Sequence, residues 1–142
     1  MRSFVLMAVT AGLLATAATA GKTGAGELRC ASLSLGPGPV THQGGRQGAR
    51  CLLTAYRQHC QPARYRLSIF GIDTIATRDF AVLNRSGRCQ VAVTISFRVV
   101  PQQPHTSGHG YCRTLERQGT DIIARACHGN GLPAAVSLTG TS

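Results

Sequence analysis

Six cysteines, Cys30, Cys51, Cys60, Cys89, Cys112 and Cys127, follow an apolar N-terminal segment, and together these features limit what the chain can become. Arg2 precedes the apolar run from Phe4 to Ala18, and Ala18-Thr19-Ala20 presents the small-x-small pattern that a signal peptidase requires before Gly21. Residues 1–20 are therefore read as a signal peptide cleaved after Ala20, and the protein as secreted. In an oxidising compartment an even set of thiols in a small domain forms disulfides. The apolar run, about 15 residues, is shorter than the roughly 20 needed to cross a bilayer as a helix, and no later run approaches that length. No transmembrane segment is expected in the mature chain.

Spacing narrows the pairing of the cysteines. A turn centred near Gly119 sets Cys112 opposite Cys127, within the Cα separation of roughly 5.5 Å that a disulfide needs. Cys60 ends a predicted helix at the end of the sheet where the strand beginning at Cys89 starts, which gives Cys60–Cys89. Cys51 and Cys60 lie on one helix, roughly 13 Å apart along its axis, and cannot bond. Cys30–Cys51 follows by elimination. This structural role outweighs a metal or catalytic one for all six.

Residues 21–45 are rich in Gly, Pro and Ser and read as an irregular arm, with residues 46–142 forming a single domain. Leu52, Ala55, Tyr56 and His59 recur at helical spacing from about Arg46 to Cys60, and Pro62 stops the helix. Tyr65, Leu67 and Ile69 alternate with Arg64, Arg66 and Ser68, and a β-rich stretch runs from Asp73 to Leu83. Cys89, Val91, Val93, Ile95, Phe97 and Val99 alternate with Arg88, Gln90, Ala92, Thr94, Ser96 and Arg98 in the clearest strand of the chain.

A turn at Asn84-Arg85-Ser86-Gly87 would set Val82 opposite Cys89 and Phe80 opposite Val91, with a bulge between Arg78 and Ile75. A ten-residue loop, Pro101 to Gly110, leads to a last hairpin and a short strand from Ala135 to Leu138. The expected fold class is α+β: one N-terminal helix packed on an antiparallel meander of about five to six strands, stabilised by disulfides. This order of elements resembles that of cystatin-like and NTF2-like domains, a likeness of fold that carries no function.

The chain carries fifteen Lys and Arg against five Asp and Glu, a formal net charge of +10, and the leader takes only Arg2 with it. Such a balance favours acidic partners: nucleic acid, lipid head groups or anionic cell-wall polymers. Strand alternation puts Arg64, Arg66, Arg88 and Arg98 opposite the apolar face, where guanidinium groups can engage anions bidentately. The expected function is a secreted, non-catalytic binding module that uses this face, with no cofactor and no metal.

Two alternatives use other residues. His105 and His109 beside Arg113 are the acid–base set that a small basic ribonuclease-like hydrolase would need. Followed by Cys112, the same histidines have the residue types of a zinc site, though no second cysteine pair closes it. A protease inhibitor could instead present the loop at 101–110 from a disulfide-braced scaffold. The Gly21-Lys22-Thr23 and Ser107 contexts fail the phosphate-loop and serine-nucleophile patterns on their glycines.

Overall fold

The computed structural model describes residues 26–36 and 42–140. The signal peptide assigned to 1–20 lies outside the described residues, as do 21–25 and 37–41 of the arm. In chain order the elements are β1 (Leu28–Arg29), β2 (Leu33–Leu35), α1 (His42–Arg57), β3 (Ala63–Phe70), β4 (Thr74–Arg85), β5 (Arg88–Val99), β6 (His105–Gln118), β7 (Asp121–Asn130) and β8 (Ala135–Ser137).

The domain is mostly β, which corrects the α+β expectation of one helix on five to six meandering strands. Among the described residues its sheet has eight strands and is mixed. β3 to β8 pair antiparallel in sequence order, while β1 and β2 both pair parallel with β3. The difference begins in the arm, where Leu28–Arg29 and Leu33–Leu35 are strands within the stretch expected to be irregular. Strands of two and three residues carry no readable period, and β3 offers them an unpaired edge whose backbone groups need partners.

α1 forms because Ala49, Leu52, Leu53 and Tyr56 fall on one side at helical spacing and Arg46, Arg50 and Arg57 on the other. Ala49, Leu52, Leu53 and Ala55 are buried. Arg57 in the last turn complements the helix dipole. His59 and Cys60 then take left-handed φ of 56°, and the Gln61 amide donates to the Ala55 carbonyl at 2.9 Å to close the end.

One sheet face meets α1. Tyr65, Leu67, Phe80, Val82, Val91 and Val93 are buried there, with the Tyr65 and Phe80 rings stacked at 5.9 Å. Leu115, Ile122, Val136 and Leu138 extend this core through the later strands. The buried phase of β6 changes between Cys112 and Leu115, at Arg113 and Ala126, which break the run of paired residues; Ala126 has φ of 52°.

The register differs from the expected one by two residues. Val82 lies opposite Val91 and Phe80 opposite Val93, with no irregularity between β4 and β5. Only Ser86 and Gly87 form the turn, both at positive φ (52° and 77°), so the strands continue through Arg85 and Arg88. A slip of two preserves the face of every residue. The bulge lies instead between β5 and β6, where Ile95 pairs with Gly108 but Ser96 pairs with Thr106. β6 starts at His105, so residues 105–110 are strand, not loop.

Three disulfides join Cys30 to Cys51, Cys60 to Cys89 and Cys112 to Cys127, with Cα separations of 5.7, 5.4 and 3.8 Å. Among the described residues no helix is long and apolar enough to cross a membrane. The three disulfides are consistent with an exported protein.

Candidate functional site

The face of the sheet turned away from α1 is assembled by cross-strand pairing. One row runs Arg66, Asp79, Thr94, His109 and Asn130, and the next runs Arg64, Ala81, Ala92, Tyr111 and His128. Arg85 pairs with Arg88 at one end, and Ile75 with Arg98 toward the other. Arg64, Arg66, Arg88 and Arg98 therefore share this open face, together with Arg85.

These arginines are not equivalent. Arg66 donates from Nε and Nη2 to the two carboxylate oxygens of Asp79 at 2.6 and 3.1 Å. Arg64 donates from Nε to Glu27 Oε1 at 2.5 Å. In both cases the hydrogen bond, and then the charge of the carboxylate, holds the guanidinium pKa above its ordinary value. The side chains stay 68% and 59% exposed for Arg64 and Arg66, so these pairs add little to stability and mainly orient the groups. Arg85 lies over the Tyr111 ring at 4.5 Å from its centroid, a cation–π contact. Arg88 is exposed, and Arg98 flanks a small groove of about 230 Å³ beside Phe70, Ile75 and Pro104.

A larger cleft of about 840 Å³ opens between the N-terminal arm and this face. Glu27, Arg29 and Ser32 line it from the arm, and Arg64, Arg66 and Asp79 from the sheet. Its sheet side also carries Ala81, Leu83, Ala92 and Thr94. The concavity arises because Ala81 and Ala92, paired across β4 and β5, lie between larger side chains.

Glu27, Arg29, Asp79 and the two alanines are not among the residues singled out from the sequence. The signal for Asp79 was present, because a turn centred on Ile72-Asp73 sets it opposite Arg66. Glu27 and Arg29 depend on the parallel pairing of β1 with β3, which local patterning does not carry.

His105 and His109 are not brought together. In a regular strand two residues four apart share a face. The extra residue at the bulge, Ser107, turns His105 to the side of Phe97, where their rings meet edge-on at 5.9 Å. His109 lies on the open face beside Thr94 and Asn130. A single phosphodiester or metal ion would not meet both imidazoles from one side of the sheet. All six cysteines are in disulfides, and the described residues contain no group of three or more His, Cys, Asp or Glu able to hold a metal ion. The connection expected to serve as an inhibitory loop is cut to residues 100–104.

Comparison of the chain with protein-family models, curated proteins and solved structures yields no match.

Proposed function

We propose that this is a secreted, non-catalytic binding module that engages an anionic polymer or surface through the open face of its sheet. One observation supports the reading above all: five arginines, Arg64, Arg66, Arg85, Arg88 and Arg98, stand on the face that α1 leaves uncovered, and the carboxylates of Glu27 and Asp79 pair with Arg64 and Arg66 among them. The local excess of positive charge attracts polyanions and orients their approach. Separation of His105 from His109 argues against the hydrolase alternative.

The test is fluorescence anisotropy of the oxidised, secreted protein across a salt series, with labelled RNA, acidic polysaccharide or anionic vesicles as probes. RNA from each binding reaction is then run on a gel. The expected result is binding that weakens steeply with salt, a shallower salt slope in Arg88→Ser/Arg98→Ser, and intact RNA. Absence of binding to every probe at low salt, or cleavage of the RNA, overturns the reading.

A further inference from the structure

We infer that the cleft beneath the N-terminal arm recognises a carboxylated sugar unit of an acidic polysaccharide. The inference rests on the polyanion-binding reading and names the class of polymer.

The cleft alternates charge. Three guanidinium groups, Arg29, Arg64 and Arg66, are interleaved with two carboxylates, Glu27 and Asp79. A chain bearing a phosphate on every unit brings negative charge against both carboxylates, and like charges at close range are unfavourable. A uronic acid presents one carboxylate with several hydroxyl groups on the same ring. Its carboxylate is an acceptor for guanidinium N–H groups, and its hydroxyls are donors for carboxylate oxygens.

The ion pairs leave the right atoms available. Asp79 occupies Nε and Nη2 of Arg66, so Nη1 remains for a ligand. Glu27 occupies only Nε of Arg64, so both Nη groups remain. The guanidiniums are thus held in place before a ligand arrives, which lowers the ordering cost of binding. Ser32 and Thr94 add hydroxyls at the edges, and Ala81 and Ala92 supply a flat strip against which a ring can lie. A volume of about 840 Å³ is within the range of small-ligand clefts and holds more than one ring.

The same face is poorly suited to nucleic-acid bases. Sequence-tolerant binding of single strands needs aromatic platforms for stacking. Tyr65 and Phe80 turn into the core, and Tyr111, which stays partly exposed, already has the Arg85 guanidinium over its ring.

The experiment compares a labelled hexamer of linked uronic acid, its methyl ester and a polyphosphate of matched charge, on the wild-type protein and on Asp79→Asn and Arg29→Gln. Circular dichroism establishes that each variant is folded. The hexauronate should bind at least tenfold tighter than its neutral ester. Asp79→Asn raises the positive charge of the protein, yet should weaken the hexauronate about tenfold, the scale of one lost hydrogen bond to a charged group, while polyphosphate binding holds or strengthens. Arg29→Gln, on the arm and away from Asp79, should weaken the hexauronate by a similar factor and serves if Asp79→Asn does not fold. If Asp79→Asn strengthens both probes alike, or polyphosphate binds and hexauronate does not, charge alone is read: the sugar inference fails and the polyanion reading stands. If neither probe binds at low salt, both fail.

Discussion

The Tyr65 hydroxyl donates to the main-chain carbonyl of Leu138 at 2.8 Å, joining β3 to the end of the chain across 73 positions. Arg78 makes a similar link, from Nη1 to the Ser137 carbonyl at 3.1 Å, and burial lowers its pKa. The two contacts tie the C-terminal strand back to β3 and β4 and keep the sheet curled over its core.

Burial raises the Tyr65 pKa from 10.0 to about 12. The folded protein therefore keeps a proton that the unfolded chain releases, and the stability this represents is intact below pH 10 and lost as pH rises from 10 toward 12. The full loss is about 3 kcal/mol at 1.4 kcal/mol per pKa unit. Tyr65→Phe gives up the hydrogen bond, at a cost of about 1–2 kcal/mol near neutrality, but has no phenol to ionise. Urea midpoints of wild type and variant should converge as pH rises above 10 and cross before pH 12; parallel pH profiles would show that Tyr65 is not the group responsible.

Gly48 sits where α1 passes the arm. A Cβ there would lie 1.8 Å from the Ala31 carbonyl oxygen and 2.8 Å from Cε2 of Tyr65. Helix propensity alone favours alanine over glycine by about 1 kcal/mol. Sterics reverse the sign, because the nearest obstacle is backbone, and overpacking of this kind costs about 1–3 kcal/mol. Gly48→Ala should lower the urea midpoint, whereas Gln47→Ala, one residue away and exposed, should not. A stabilised Gly48→Ala would mean that the arm does not pack against α1 at this point.

Much of the fold is legible because its strands are long and amphipathic. The alternation from Cys89 to Val99 identifies both faces of β5, and a turn at Gly119 makes Cys112 and Cys127 neighbours. The parts that are not legible depend on contacts distant in sequence. β1 and β2 are defined by the free edge of β3 and not by their own pattern. The two-residue slip at Ser86-Gly87 arose because Asn84 and Arg85 read as turn residues, although both continue β4. On the open face, alternation finds Arg64 and Arg66, but their carboxylate partners come from a neighbouring strand and from the arm. The histidines misled for a local reason: one bulged residue, Ser107, reverses the face of His105.

The Cys30–Cys51 disulfide anchors the arm to α1, while β1 and β2 contribute only two and three paired residues. Its loss removes about 3 kcal/mol of constraint on the unfolded chain. Locally it should also free the cleft wall that carries Glu27 and Arg29. In Cys30→Ala/Cys51→Ala, amide exchange at residues 28–35 should accelerate much more than in β4 and β5, with affinity for the anionic probe falling about tenfold, or 1.4 kcal/mol. Uniform acceleration across the sheet would instead mean that the arm and the core unfold together.

Ala81 and Ala92 face each other across β4 and β5, half-buried, with Arg64 and Tyr111 flanking them in their row. A larger apolar side chain is no worse in a strand than alanine, so Ala92→Leu carries little intrinsic penalty and packs against its row neighbours. It does fill the cleft, whose depth depends on these small side chains. The melting temperature should therefore stay within about 4 °C of wild type, the shift that corresponds to roughly 1 kcal/mol in a domain of this size. Affinity for an acidic oligosaccharide should fall at least tenfold, while Ala126→Leu, exposed on β7 and outside the cleft, leaves binding unchanged. A folded Ala92→Leu protein with wild-type affinity would move the binding site off the alanine strip and toward Arg88 and Arg98 at the ends of the face.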